Sequence, residues 1–256
     1  MSKKGYAVIH IKRRIRVIFI LVIMILLSIF LIIKQQSQES LTAQEISVNQ
    51  QRVAENQDGD HPKTSDWNLI LVNKTHPLPE DFIVSFTQVS EGQYADSRCA
   101  AELLAMMDAA KKNGCPLYIA SSYRSLQRQE TLFNQEVNSY ISSGMSKEAA
   151  AEEAAVLQAP PGTSEHGTGL AFDIVGNSWF SENSNLNEGF ADTKESDWLL
   201  EHAQEYGFVL RYPEDKQDIT GYGYEPWHFR YVGVENATIM REKNLCLEEY
   251  LLTLDN

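Results

Sequence analysis

The amino-acid sequence predicts an α+β fold, because helical patterns come first along the folded region and strand-like runs cluster later, in mixed order. A doubly wound α/β sheet would instead alternate strands and helices regularly. The helical patterns cover residues 97–113, 126–143 and 147–158, and the main strand-like runs cover 169–175, 208–212 and 226–232. Residues 66–256 are numerous enough to enclose a hydrophobic core, so we predict one folded domain.

The predicted helices have recognisable end signals. Ser97 is placed to cap the helix at 97–113, and Asn113 followed by Gly114 is typical of a helix end. Ser146 is placed to cap the Ala- and Glu-rich helix KEAAAEEAAVLQ. These signals predict three helices before the metal-type motifs described below.

Strand-like runs and breakers organise the remaining sequence. WNLILVN at 67–73 is a β-like run, and PLYIASSYR at 116–124 is typical of a buried strand that continues into a polar turn. Residues 176–195 have a loop-like composition. Ser196 is placed to cap a further helix that ends at Gly207.

The N-terminal part has the composition of a membrane-anchored leader rather than of a folded domain. Residues 1–16 are basic, residues 17–33 contain one serine and no charge, and residues 34–65 are rich in Gln, Ser, Glu and Asn. We therefore predict a cytoplasmic tail, a single-pass transmembrane signal anchor and a flexible polar tether, with the domain 66–256 outside the cell. A cleaved signal peptide is the alternative, although KQQSQES after the apolar run offers no convincing cleavage site.

Charge is divided unevenly along the 256 residues. Residues 1–34 contain seven of the 22 basic residues and none of the 35 acidic residues, so the remaining chain has a net charge of −20. So acidic a domain is a poor candidate for binding nucleic acid. We expect no nucleic-acid partner, and we expect the chain to be a monomer.

The three cysteines do not indicate a metal site, because none of them forms a C-x-x-C pair. Cys99 and Cys115 flank a predicted helix and would lie too far apart for a disulfide. A pair with Cys246 stays open, but three buried thiols are the simpler interpretation.

The decapeptide SEHGTGLAFD at 164–173 is the first motif that indicates chemistry. Asp173 follows His166 by seven positions, an odd offset, so on one straight strand their side chains would point to opposite faces. Gly167 and Gly169 allow the backbone to bend. A bend would direct both side chains to one point.

A second motif, EPWHFRYV, supplies further candidate ligands. With His166 and Asp173, His228 completes a two-histidine, one-carboxylate set of the kind that holds catalytic zinc. Glu225 precedes His228 by three residues and could act as a general base. A single buried histidine is more often a hydrogen-bonded core residue, so each segment alone is weak support.

The segment SSYRSLQRQETLF at 121–133 supplies candidate substrate contacts. Arg124 lies between a predicted strand and a helix, where a guanidinium can bind a carboxylate or an oxyanion. Gln129 falls within the apolar stripe of that helix and needs a polar partner. Ser164 could cap, brace the turn or contact substrate. The alternatives are a surface ion pair for Arg124 and a backbone hydrogen bond for Gln129.

Several separated motifs occur together in one order: SYRS…Q, PGTSEHGTGLAFDI, WLLEHAQEYGFVLRYP and ITGYGYEPWHFRYVG, preceded by WNLILVNKTHPLP. This set resembles the VanY-type zinc D-alanyl-D-alanine carboxypeptidases and the related L,D-carboxypeptidases over about residues 66–245. The resemblance implies a small antiparallel sheet backed by helices, as in the D-Ala-D-Ala metallopeptidases and the hedgehog signalling domain.

The resemblance also implies roles for individual residues. His166, Asp173 and His228 match the zinc ligands, and Glu225 matches the catalytic base. Arg124 matches the arginine that stabilises the reacting carbonyl. Gln129 and Ser164 match positions near the terminal residue of the substrate.

The implied function is removal of the C-terminal D-alanine from peptidoglycan stem peptides by a zinc-activated water. This function agrees with the predicted topology, which rests on other residues and places the domain on the outer side of the membrane, facing the cell wall. Two alternatives stay open: an L,D-carboxypeptidase acting on tetrapeptide stems, and a non-catalytic zinc module that binds wall peptides. Retention of Glu225 argues against the second alternative.

Overall fold

The computed structural model describes residues 67–183 and 185–254, which form the α+β fold that the sequence predicts. Its strands are β1 (Phe86–Ser90), β2 (Gln93–Asp96), β3 (Leu117–Ser121), β4 (Ala171–Gly176), β5 (Phe208–Leu210) and β6 (His228–Tyr231). Its α-helices are α1 (Ala100–Lys112), α2 (Leu126–Ser142), α3 (Lys147–Leu157), α4 (Asn177–Asn183), α5 (Lys194–His202), α6 (Gln217–Thr220), α7 (Val234–Glu242) and α8 (Leu247–Leu254). Short 3₁₀ turns lie between them, at Trp67–Leu69, Glu165–Thr168, Glu188–Asp192, Ala203–Tyr206 and Glu214–Lys216.

The main sheet has four antiparallel strands in the order β3-β4-β6-β5, and β1 pairs with β2 in a separate hairpin. In the central pair, Asp173 of β4 lies opposite His228 of β6, and Phe172 lies opposite Phe229. Residues that lie directly opposite each other share a face of the sheet, and neighbours along a strand alternate between faces. The register therefore separates a polar face from an aromatic face.

The aromatic face packs into the main hydrophobic core. Phe172, Phe208 and Phe229 lie there with Leu103 and Met106 of α1, and all five are almost fully buried. Burial of such side chains stabilises the fold by roughly 1.5–3 kcal/mol each. This packing holds β4 and β6 in the register that brings the polar side chains together.

Two predicted helix caps are wrong. Helix α1 begins at Ala100 with Cys99 as its N-cap, and the hydroxyl of Ser97 instead accepts a hydrogen bond from Thr87 Oγ1. Ser97 is held there because its backbone N–H donates to Ser85 at the hairpin. Thr193, not Ser196, caps α5, since its hydroxyl accepts from the Ser196 N–H.

Other local predictions are confirmed or corrected. Ser146 caps α3 by accepting from the Ala149 N–H, as predicted. The run at 67–73 contains a 3₁₀ turn and a single bridge residue rather than a strand, and the loop-like region 176–195 contains α4. All three cysteines are buried free thiols, which confirms the simpler interpretation.

The predicted anchor at 17–33 lies outside the described residues, as do the tail at 1–16 and the tether at 34–65. Within the described ranges, no helix combines the length and the apolar character that crossing a bilayer requires.

Candidate metal centre

The bend between His166 and Asp173 is made by a 3₁₀ turn and a left-handed glycine. His166 lies in the turn Glu165–Thr168, and Gly169 ends that turn with φ of 71° before β4 begins. A β-carbon at Gly169 would lie 2.9 Å from the backbone nitrogen of Asp96, so both the dihedral angle and the space favour glycine. This bend lets two residues seven apart point to one place.

His166, Asp173 and His228 converge as the sequence predicts; we call these three residues the metal cluster. The Nε2 atom of His166 lies 3.2 Å from Asp173 Oδ2, and Nδ1 of His228 lies 3.0 Å from Asp173 Oδ1. One ligand atom from each residue lies within 4.8 Å of the other two. The three side chains are almost completely buried.

The orientation of His166 is fixed by the backbone. Its Nδ1 atom lies 2.8 Å from the carbonyl oxygen of Ser122, which can only accept a hydrogen bond. Nδ1 is therefore the donor, and the lone pair of the neutral ring is on Nε2, beside Asp173. A histidine held in this way is prepared to ligate a metal.

The charges around the metal cluster favour a cation. Burial raises the pKa of Asp173, but His166 and His228 outweigh it and hold that pKa well below its usual range. Burial lowers the pKa of His228, but the hydrogen bond to Asp173 and the nearby carboxylate of Glu165 outweigh burial and raise the pKa to about 9. The same carboxylates that stabilise a proton on His228 would stabilise a divalent metal ion at this point. Two histidines and a carboxylate fit Zn²⁺, with a fourth position left for water.

Glu225 lies beside this centre. Its Oε2 atom is 3.6 Å from His228 Nδ1, and the side chain is 16 % exposed. Burial raises the pKa of Glu225 to about 7, against the lowering influence of His228. A carboxylate of this kind is suited to take up and release a proton near neutral pH.

Arg124 lies beside Asp173, with Nη2 3.8 Å from Asp173 Oδ2. It donates from Nη1 to Oε1 of Gln129 at 2.8 Å and from Nη2 to the hydroxyl of Ser121 at 2.9 Å. Gln129 in turn donates to the carbonyl oxygen of Ala159. Gln129 therefore positions Arg124. Direct contact between Gln129 and substrate stays a prediction.

A cavity of 690 Å³ opens beside the metal cluster. It is lined by the three ligands together with Arg124, Ser164 and Glu225, so it brings together every predicted site residue except Gln129. Side chains that the sequence analysis did not single out complete the wall: Leu186, Asn187, Glu188, Tyr212, Tyr222, Tyr224 and Trp227. Among the described residues that line this cavity, Arg124 is the single lysine or arginine.

Beneath the metal cluster lies a group of buried charges that the sequence analysis missed; we call Glu165, Arg211, Arg230 and Glu248 the arginine cluster. Oε1 of Glu165 accepts from Arg211 Nε and from Arg230 Nη1, both at 2.8 Å, and Glu248 binds Arg211 with both oxygens. The sequence does contain an indication of this cluster, because the strand-like runs FVLRY and HFRYV each place an arginine among mostly apolar residues. A buried arginine requires a buried acid.

The fold and this centre define the class of a metallohydrolase, because three potential metal ligands, a neighbouring carboxylate and a guanidinium share one cavity. The family model described as VanY, D-alanyl-D-alanine carboxypeptidase, matches residues 92–234. The chain therefore belongs to the VanY family. A D-alanyl-D-alanine carboxypeptidase from Enterococcus faecalis is 40% identical over 188 residues, which cover 73% of this chain and 67% of that protein.

Solved structures show the same relationship. The structure of VanYB in complex with D-alanine-D-alanine has 40% identity and a TM-score of 0.66, and the match covers 73% of this chain and 98% of that chain. A mutant of the vancomycin resistance D,D-pentapeptidase VanY in complex with Zn(II) has 39% identity and a TM-score of 0.64, over 72% of this chain and 99% of that chain. The LD-carboxypeptidase LdcB has 37% identity and a TM-score of 0.60, over 76% and 92%.

Proposed function

We propose that this chain is a zinc-dependent D-alanyl-D-alanine carboxypeptidase that removes the C-terminal D-alanine from peptidoglycan stem peptides. The observation that carries this proposal is the convergence of the metal cluster with Glu225 and Arg124 in one cavity. The VanY family and the D-alanine-D-alanine complex of VanYB support the same substrate class.

When bound, Zn²⁺ supplies a Lewis acid that polarises the scissile carbonyl and lowers the pKa of a water molecule. Glu225 accepts the proton of the attacking water and then donates it to the leaving amine, since its largely buried carboxylate lies beside His228 at the edge of the metal cluster. The guanidinium of Arg124, held by Gln129 and Ser121, stabilises the oxyanion that forms at the carbonyl.

The aromatic wall of the cavity also contributes. Tyr212 packs against the ring of His228, with centroids 4.8 Å apart, and Tyr222 packs against Tyr212 at 4.6 Å. These rings exclude water from one side of the centre. Exclusion of water strengthens the interaction between Arg124 and a developing negative charge.

Purified full-length chain loaded with zinc tests the proposal. It is incubated with a pentapeptide stem ending in D-Ala-D-Ala and with a tetrapeptide stem ending in one D-Ala, and released D-alanine is measured. We expect release from the pentapeptide, and we expect Glu225→Gln to lower kcat by about 10²–10⁴-fold while zinc stays bound. Because an LD-carboxypeptidase is also similar to this chain, release from the tetrapeptide alone would assign L,D activity instead. Zinc binding without either cleavage would favour the non-catalytic wall-binding module.

We also propose that residues 17–33 anchor the chain in the cell membrane, so that a monomeric catalytic domain faces the cell wall. The uncharged apolar run and the basic residues before it support this topology. A C-terminal tag that added protease removes from cell-wall-stripped cells would agree with it. A tag that is protected until lysis would contradict it, and sedimentation of the purified chain tests the monomer.

A further inference from the structure

The two oxygens of the Glu165 carboxylate have different surroundings. Oε1 accepts hydrogen bonds from Arg211 Nε and Arg230 Nη1, each at 2.8 Å. Both arginines are themselves buried, and Glu248 binds Arg211 with two further hydrogen bonds. Glu165 is therefore held rigidly, because two buried arginines fix one of its oxygens.

The second oxygen, Oε2, points toward His228. It lies 3.6 Å from Nε2 of that ring. Within the described residues, neither Oε2 of Glu165 nor Nε2 of His228 has a hydrogen-bond partner, although both atoms are fully buried. An adjustment of roughly half an ångström would bring the two atoms to hydrogen-bond distance.

The two ring nitrogens of His228 thus face different carboxylates. Nδ1 lies 3.0 Å from Asp173 Oδ1, within the metal cluster, whereas Nε2 faces the arginine cluster through Glu165. In a neutral imidazole one nitrogen donates and the other has the lone pair, and the hydrogen bond of the first decides which is which. Outer carboxylates commonly set the orientation of metal-ligating histidines in this way.

We propose that Glu165 is a positioning residue of the metal centre: it accepts the Nε2–H of His228 and so holds the tautomer whose Nδ1 lone pair is directed to the metal. This role rests on the zinc centre of the proposed function. It gives the arginine cluster a purpose beyond stability, because Arg211 and Arg230 then fix the carboxylate that orients a ligand.

A purely structural role for Glu165 is the competing explanation, and Glu248→Gln is its matched control. Glu248 also binds Arg211 through charged hydrogen bonds, but the structure records no contact between it and His228. Glu165→Gln and Glu248→Gln each remove one carboxylate charge from the same cluster. Only the first substitution changes the partner of His228 Nε2.

The zinc affinity of wild type and of both full-length variants is measured by competition with a chromophoric chelator. We expect Glu165→Gln to weaken zinc binding by about 10–100-fold, and Glu248→Gln to leave it unchanged. Equal affinity of Glu165→Gln and wild type, or equal weakening in both variants, would overturn the positioning role. Failure of the wild type itself to bind zinc would instead overturn the proposed function.

The ¹⁵N chemical shifts of His228 in the zinc-loaded wild type give a second, independent readout. We expect a protonated Nε2 and a metal-bound Nδ1. A metal-bound Nε2 would contradict the inference whatever the affinities show. This measurement tests the proposed tautomer of His228 even if Glu165→Gln does not fold.

Discussion

The metal cluster and the arginine cluster contain buried charges on the same face of one sheet, yet they differ in how those charges are satisfied. His228 and Arg230 are alternate residues of β6, so the two clusters are neighbours. In the arginine cluster, Arg230 donates to Glu165 and to the carbonyl oxygens of Tyr231, Asn68 and Ile70. In the metal cluster, three ligand atoms converge beside an open cavity instead.

Structural and functional buried charges can be told apart by whether the protein itself satisfies them. Buried guanidinium groups whose donors are met by the protein, as those of Arg211 and Arg230 are, hold the fold together, and loss of one is costly because a carboxylate is left uncompensated. Ligand atoms that converge and have unused bonding capacity are arranged for something that the chain does not itself contain. Substitutions in the metal cluster should therefore mainly reduce activity, whereas substitutions in the arginine cluster should mainly reduce stability.

The largest expected effect is on activity, from Asp173→Asn. The amide keeps the shape of the side chain but removes the central negative charge between His166 and His228. Since the metal supplies several kcal/mol of transition-state stabilisation, we expect kcat/KM to fall about a thousandfold or more, with loss of bound zinc. Kinetic assay and metal analysis of the purified variant measure both effects.

The distinction between the metal cluster and the arginine cluster requires that Asp173→Asn stay folded. With a chelator present for both proteins, we expect its melting temperature to lie only a few degrees below that of wild type, because the charged contacts with His166 and His228 are weakened. A large further drop would show that the metal cluster is also a structural ion pair, and the distinction between the clusters would fail.

The next largest effect is on stability, from Arg211→Met. Methionine fills much of the buried volume, but Glu165 and Glu248 lose their shared partner. Removal of one partner of a buried pair costs about 3–5 kcal/mol, which corresponds to a decrease in Tm on the order of 10 °C. Thermal unfolding followed by circular dichroism measures the shift.

Lys112→Met is the control for that measurement, because Lys112 forms an exposed pair with Asp108 on α1. We expect no measurable change in Tm for this variant. If both substitutions lowered Tm equally, burial would not be what distinguishes the arginine cluster.

The sequence predicts the metal cluster better than it predicts the arginine cluster, and the reason is physical. His166 and Asp173 share one short motif, and His228 belongs to a second motif with its own base at Glu225. Ligand types and short spacings are visible without the fold. Glu165 lies inside the first motif too, but its partners come from β6 and from the residue after β5, and long-range pairings are not visible in spacing.

The same limit applies to the fold. Helices α2 and α3 are predicted to within one residue of their bounds, because they have caps and periodic apolar residues of their own. The β1–β2 hairpin and α8 are missed, since their strands and turns are short and their stability comes from packing against distant residues. Ser97 does not cap α1 for the same reason, because its hydroxyl and its backbone N–H are bonded to Thr87 and Ser85 at the hairpin.

A smaller effect tests whether Arg124 acts in catalysis without helping the metal cluster to hold zinc. Arg124→Lys keeps a positive charge but cannot keep the bonds to Gln129 and Ser121 together with a free donor for the substrate. We expect kcat to fall about a hundredfold with little change in zinc affinity. Steady-state kinetics and chelator competition test the two halves of this expectation. Loss of zinc affinity in parallel with kcat would place Arg124 among the residues that hold the metal.

The smallest effect concerns the pH dependence of stability and involves Glu248. Burial raises its pKa, but the hydrogen bonds from Arg211 and Asn73 outweigh burial and hold it below the usual 4.5. A depressed folded-state pKa means that the unfolded chain binds the proton more readily below pH 4.5. The stabilisation by Glu248 is therefore complete above that pH and is lost as the pH falls toward the folded-state pKa.

Glu248→Gln isolates this contribution. We expect the variant to be less stable than wild type by about 2 kcal/mol at pH 7, and by clearly less at pH 3.5, because wild type has begun to lose the same charge there. Urea unfolding of both proteins at the two pH values measures the difference. A difference that grew toward acid would mean that the arginine cluster does not depend on this ionised carboxylate. In that case the charge of Glu248 would not contribute to the free energy of unfolding, and Glu165 alone would compensate the charges of Arg211 and Arg230.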